Sequence, residues 1–309
     1  MKLKSVLLVA ILAIWLGTAT AQTSPKVVAS IKPLHSLVAG VMAGVAEPVL
    51  LLRGSASPHA YALRPSDAQA LQEAEAVFWV GEEAEGFLTK PLRSLAGNAK
   101  VVALSDAEGI HWLSLREGAV WLPHEHEDES ETHSEHRHNG RNPHIWLDPR
   151  NAQVMVQAIV TTLRAADPAH ASTYQTNGWT LSQRLDALDA KLREDLTPLS
   201  RKPYLVFHDA YQYFEKRYGL HPIGAVTTSP ERTAGVKRLQ ALRKQVMGSG
   251  VRCVFTEPQF PPKLLRVVTS GLQVKRGVLD PVGAELFPGP ELYFTLLNNL
   301  STSLRACLL

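Results

Sequence analysis

Short aliphatic and β-branched runs alternate with helical stretches along the chain, and this alternation limits the fold more than any other feature of the sequence. From Lys26 it reads VVASI, PLHSLVAGVM, PVLLL, a helix through DAQALQEAEA, then VFWV and KVVAL. Strand and helix in turn imply parallel sheets wrapped by crossovers. Ser66, with Gln69 three residues later, predicts a capping box at one helix start. From Pro203 the alternation resumes: YLVF, YQYFEKRYG, PIGAV, a helix from Ser229-Pro230 to about Met247, RCVFTE, a helix from Pro261, KRGVLD and a last helix. Between the two series, Asp148-Pro149 opens one helix and Asp167-Pro168 another, which meets no breaker except Gly178 before about Leu196. Roughly 28 residues at 1.5 Å each would span about 42 Å, enough to bridge two lobes. The expected fold is α/β, with two parallel-sheet lobes joined by a long rigid helix. Residues 22–167 form the N-terminal lobe, 168–197 the linking helix and 198–309 the C-terminal lobe. Ligands of open α/β sheets sit outside the carboxyl ends of the strands, so the interlobe cleft is the expected site.

The chain begins MKLKSVLLVAILAIWLGTATA, with two lysines, an apolar run and small residues at Ala19-Thr20-Ala21. This reads as a secretory signal peptide cut near Ala21/Gln22, since the apolar run is shorter than the roughly 20 residues of a membrane helix. Loss of Lys2 and Lys4 lowers the formal charge from +3 to +1. No basic stripe interleaved with aromatics is present, which argues against nucleic acid as a partner. The chain is expected to be exported and to act as a monomer. Its two cysteines, Cys253 and Cys307, enter a compartment that permits oxidation. An even count there favours a disulfide, worth on the order of 4 kcal/mol in the chain-entropy model, over free thiols or zinc ligands. Its role would be to pin the last helix to a strand.

Residues 124–142 interrupt the alternation with no apolar period at all. The tract HEHEDESETHSEHRH contains His124, His126, His133, His136 and His138 among acidic residues. Such a composition buries too little surface to offset its ordering entropy, so it reads as a mobile insertion whose histidines form accessory metal sites. Three other histidines follow predicted strands or turns that face the cleft: His59 in SPHAYALRPSD, His144 in NPHIWLDP and His208 in YLVFHDAYQYFEK. Asp280 in VLDPVGAE is a fourth candidate, with an N-cap or turn role as the alternative. His35, His111, His170 and His221 read as surface or turn residues. Trp79, Trp112, Trp121, Trp146 and Trp179 read as packing residues, with Trp146, Tyr61 and Phe207 as candidates to shield a metal from water.

The segments GSASPHAYALRPSD, NPHIWLDP, FHDAYQYFEK, FTEPQF and LDPVGAE resemble, in order, the blocks of the zinc-binding periplasmic proteins of ABC transporters, the ZnuA type within the cluster of metal-specific solute-binding proteins. The resemblance covers essentially the whole mature chain and includes a His/Asp/Glu-rich insertion before the second ligand block. It implies that His59, His144 and His208 bind the metal, that Asp280 lies at the edge of the site, and that the cargo passes to a membrane permease from the periplasm. Manganese-binding relatives usually have Glu at the position of His208, and a third imidazole there favours zinc. Some zinc members carry an acidic residue where this chain has Pro58. The chemistry agrees independently, since three neutral imidazoles and one oxygen make a tetrahedral zinc site. The chain is therefore expected to be a zinc-binding component of an uptake system and not an enzyme. The rival readings are a zinc hydrolase, a zinc buffer or metallochaperone without a transporter, and a manganese-binding member of the same family. Against the hydrolase, no HExxH is present and HEHEDE ends in Glu129 where a last ligand should stand. Glu257 would be its general base, or else a structural residue at a strand end.

Overall fold

The structure, a computed structural model, describes residues 24–54, 57–59, 61–116, 121, 140–228 and 235–309. The expected signal peptide and the five tract histidines lie outside the described residues. Among those described, no helix is long and apolar enough to cross a membrane.

The two predicted series fold into two four-stranded, wholly parallel sheets. The first contains β1 (Val27–Ala29), β2 (Val49–Leu50), β3 (Ala76–Trp79) and β4 (Lys100–Ala103) in the order β2-β1-β3-β4. The second contains β5 (Tyr204–His208), β6 (Pro222–Thr227), β7 (Cys253–Thr256) and β8 (Lys275–Val278) in the order β6-β5-β7-β8, which repeats the first arrangement. The central strands β1, β3 and β5 are buried throughout, as near-continuous apolar runs covered on both faces should be.

The first sheet carries α1 (Lys32–Val41), α2 (Pro65–Glu73), α3 (Glu82–Glu85) and α4 (Thr89–Leu95). Helices α5 (Pro149–Ala166) and α6 (Ala171–Leu196) follow, then α7 (Gln212–Tyr218), α8 (Val236–Gly248), α9 (Lys263–Val268) and α10 (Leu292–Leu308). The capping box falls two residues earlier than Ser66 suggests: Pro65 takes the first helical position and the Arg64 N–H donates to Asp67 Oδ2 at 2.9 Å. Pro168 opens a single 3-10 turn and the long helix begins at Ala171. Its 26 residues span about 39 Å at 1.5 Å each. Leu181, Leu185, Leu188, Leu192 and Leu196 form its buried stripe. Gly178 lies against Val160 of α5, where any side chain would collide, so the breaker in the sequence is what lets the two helices meet closely.

Most of the core is one continuous apolar cluster that runs from α1 and the first sheet through α5, α6 and α10 to one face of the second sheet, where Tyr204, Val206, Cys253 and Phe255 join it. The other face, with Leu205, Phe207 and Val254, packs against α8 and α9 as a separate small core. The disulfide joins Cys253 on β7 to Cys307 on α10. Polar contacts also cross between the lobes. Trp146 Nε1 donates to Pro281 O at 2.7 Å and the Tyr293 hydroxyl to Trp146 O at 2.7 Å. Lys32 of α1 is buried and its Nζ donates to Gly283 O, Ala284 O and Leu286 O at 3.0, 2.6 and 3.0 Å.

Two sequence expectations fail here. His35 is buried rather than exposed, because α1 packs against α5, α6 and α10 as well as its own sheet, and its Nε2 lies 2.9 Å from Pro48 O. Trp179 is 64% exposed, so it is not the core packing residue its type suggests.

Candidate metal centre

The fold brings His59, His144 and His208 together. His59 lies in the turn after β2, His144 precedes a 3-10 turn over Ile145–Leu147, and His208 ends the buried strand β5. Their rings pair edge-on, with centroids 5.2 Å (His59–His144), 5.5 Å (His59–His208) and 4.9 Å (His144–His208) apart. One ligand atom from each lies within 4.8 Å of the other two. His59 Nε2 and His144 Nε2 are 3.3 Å apart. Two nitrogens each bonded at 2.0–2.1 Å to one tetrahedral ion are separated by about 3.3–3.4 Å. The pair thus already has the edge length of a zinc tetrahedron. The space among the rings is a cavity of about 10 Å³, bordered by Pro58, Trp146, Phe260, Pro281 and Val282, with room for one water or one ion.

The tautomer of His144 follows from its neighbours. Its Nδ1 lies 2.8 Å from Asn142 Oδ1, and its own backbone N–H donates to the same oxygen at 3.1 Å. Only an acceptor can receive that backbone proton, so Nδ1 carries the ring proton and Nε2 presents a lone pair. Asn142 is held in turn by donating Nδ2 to Gln212 Oε1 across the lobes at 2.7 Å. Burial, reinforced by His208 and His59, holds the His144 imidazole well below its ordinary pKa, so it is neutral at neutral pH and competent as a ligand. Among the described residues, neither buried ring nitrogen of His208 has a hydrogen-bond partner. A cation would satisfy the nitrogen that carries the lone pair, and a buried nitrogen left without any partner costs about 1–3 kcal/mol.

Asp280, expected at the edge of the site, is not part of this cluster among the described residues. Its carboxylate closes the turn after β8, accepting from Val282 N at 3.1 Å, Gly283 N at 3.0 Å and Ala284 N at 2.5 Å, and from Gln259 Nε2 at 2.7 Å. Three of the donors share Oδ1 and one reaches Oδ2, so the carboxylate fills the turn role weighed for this residue while Oδ2 keeps a second lone pair. The carboxylate that borders the cavity is Glu257, whose Oε2 lies 3.5 Å from His208 Nδ1. The alternation of β7 held a usable signal for it, because Glu257 continues the series Cys253, Phe255 that faces the shared core.

Of the proposed shielding residues, Trp146 lies beside His144 with ring centroids 5.3 Å apart. Phe207 stacks on Phe260, which borders the cavity, while the Tyr61 hydroxyl is turned toward Asp67 at 2.8 Å. The segment that carries the tract leaves and returns as an antiparallel pair, Ser114 against Arg141, with Leu115 N donating to Gly140 O at 2.8 Å.

Residues 27–307 match the family model described as ZnuA, zinc-uptake complex component A, periplasmic. The chain is 43% identical to the high-affinity zinc uptake system protein ZnuA of Brucella abortus (strain 2308), over 97% of this chain and 96% of the relative. It is 38% identical to the protein of the same name from Yersinia pestis, over 92% of each. Among solved structures it is similar to the periplasmic zinc-binding protein TroA from Treponema pallidum, with a TM-score of 0.78 over 92% of this chain and 99% of that one. At 22% identity that likeness concerns the fold.

Proposed function

The chain belongs to the ZnuA family of periplasmic zinc-uptake components, and from that premise we propose that His59, His144 and His208 are the residues with which this member captures Zn²⁺. It is a solute-binding protein of an uptake system and not an enzyme. The observation that carries the ligand assignment is the convergence of three imidazoles from both lobes on a cavity the size of one ion. Three neutral nitrogens suit zinc, whereas an ion that prefers oxygen, such as manganese, gains less from them. The ion would complete its sphere with water or another oxygen.

Delivery to the permease of an ABC transporter follows as the next step, with the mature protein in the periplasm after cleavage near Ala21/Gln22. Within this reading the tract histidines His124, His126, His133, His136 and His138 raise the local zinc concentration beside His144 and hand ions to the folded centre. A flexible segment must be ordered to coordinate, so its sites are the weaker ones.

Zinc titration of the mature protein against a competing chelator tests the assignment. His59→Ala, His144→Ala and His208→Ala should each weaken binding by about a thousandfold or more, equivalent to about 4 kcal/mol. Removal of residues 124–138 should leave one tight site and abolish only weak additional ones. Unchanged affinity in the three alanine variants would refute the proposed ligands, and loss of tight binding in the deletion would refute the division between centre and tract. Growth under zinc limitation should depend on the gene if the protein serves uptake.

A further inference from the structure

Glu257 occupies a position that its ordinary roles do not explain. It follows β7 on the series that faces the shared core, and its side chain is 1% exposed. Oε1 accepts from the Tyr211 hydroxyl at 3.1 Å. Among the described residues, Oε2 has no hydrogen-bond partner and no lysine or arginine pairs with this carboxylate. An ionised carboxylate in such a place is costly unless a cation faces it. What faces it is the edge of His208, with Nδ1 at 3.5 Å and both ring nitrogens unpartnered. Glu257 is nonetheless outside the set of mutually adjacent ligand atoms formed by the three histidines. Its place is therefore behind one ligand rather than among them.

We propose that Glu257 is the positioning residue of the centre: its carboxylate takes the Nδ1–H of His208, turns that ring so that Nε2 faces the ion, and supplies the negative charge that three neutral imidazoles lack. This deepens the reading that the three histidines bind zinc and rests on it. His144 is oriented by a neutral amide, Asn142, and His208 by an anion, so the two buried ligands differ in basicity as well as in lobe. A carboxylate behind a metal-bound imidazole fixes its tautomer and raises its basicity. The assignment divides the two carboxylates: Asp280 builds the turn that walls the cavity, and Glu257 serves the ion.

The test uses the full mature chain with Glu257→Gln, which keeps shape and an acceptor but removes the charge, and Glu257→Ala, which removes both. Glu257→Gln should weaken Zn²⁺ binding about 10- to 100-fold and Glu257→Ala further. In Co²⁺-loaded protein the visible d–d bands of both variants should keep the wild-type position and intensity, because the atoms bonded to the ion are unchanged. In the zinc-loaded wild type, nitrogen-15 spectra should show a hydrogen-bonded Nδ1–H on His208, a readout that needs no variant and so survives any folding defect. Absence of that proton, wild-type zinc affinity in Glu257→Ala, or Co²⁺ bands that change in number or intensity would each overturn the role, the last by making Glu257 a direct ligand. His208→Ala in the same assay separates the two levels. If it loses tight binding while Glu257→Ala does not, only the positioning role falls; if it too binds as wild type, the three-histidine centre falls with it.

Discussion

On β5, Tyr204 and Val206 belong to the core that the two lobes share, and His208 is next in that series; Leu205 and Phe207, the residues between them, belong to the small core under α8 and α9. Adjacent residues of one strand thus serve different masters. The shared face fixes the distance between lobes, because its apolar cluster is continuous from α1 to the second sheet and is crossed by the contacts of Trp146, Tyr293 and Lys32. Among the described residues the small core packs elements of its own lobe. A ligand on the first face inherits its position from the whole molecule, while a change on the second should stay local. For this reason metal capture should proceed through small shifts of loops and side chains rather than a wide hinge, and scattering profiles of apo and loaded protein should nearly coincide.

The sharpest way to break this comparison is to alter neighbours on β5. His208→Ala should lower zinc affinity about a thousandfold or more, whereas Phe207→Ala should cost about 3–5 kcal/mol of stability yet leave the affinity of the folded protein within severalfold of wild type. Equal effects on binding would erase the distinction between the faces. Reduction of Cys253–Cys307, or its replacement by Cys253→Ser with Cys307→Ser, should remove about 2–4 kcal/mol from chemical unfolding, because the bond joins β7 to α10 within the shared core.

A further contrast concerns a carboxylate buried in the first lobe. Glu85 is fully buried, with Val80 N donating to its Oε2 at 2.6 Å, and burial pushes its carboxyl up to about 7 from an ordinary 4.5. The folded state therefore keeps a proton that the unfolded chain releases. The associated stability is complete below about pH 4.5, declines as pH rises, and is gone above about pH 7. Glu85→Gln should remove this dependence and raise stability at pH 8 by up to about 3 kcal/mol, read from urea unfolding at pH 5 and 8. An unchanged pH slope would show that this burial has no energetic consequence. The smallest effect is expected at the surface, where Arg184 of α6 reaches Glu291 at 2.6 Å with both partners substantially exposed. Arg184→Ala should cost less than about 1 kcal/mol.

Much of this was legible in the sequence, and the reasons for the rest are physical. Fully apolar strands such as those ending at Trp79 and His208 declare themselves, as does a long helix with leucines at heptad-like spacing. The three histidines could be placed at strand ends and turns by position and by resemblance. Asp280 and Glu257 are harder to sort because both are acids at a strand end, and what separates them is which one meets backbone N–H groups and which meets a ring nitrogen. Strand parity would have pointed Glu257 toward the shared core, but only once the two faces were known to differ. His35 was misplaced for a related reason: a helix covered on several sides leaves no polar face to read.

Lys32 brings a second cation to the same loop. Its ammonium is caged by the carbonyl oxygens of Gly283, Ala284 and Leu286, a few residues beyond Pro281 and Val282, which border the histidine cavity. One short stretch of chain therefore divides two kinds of guest between two kinds of host. The hard oxygen donors are given to a tethered charge that never exchanges, and the nitrogen donors are left open. A hard divalent ion arriving at the cleft meets an oxygen cage with a permanent tenant. The nitrogen donors beside it suit a softer ion.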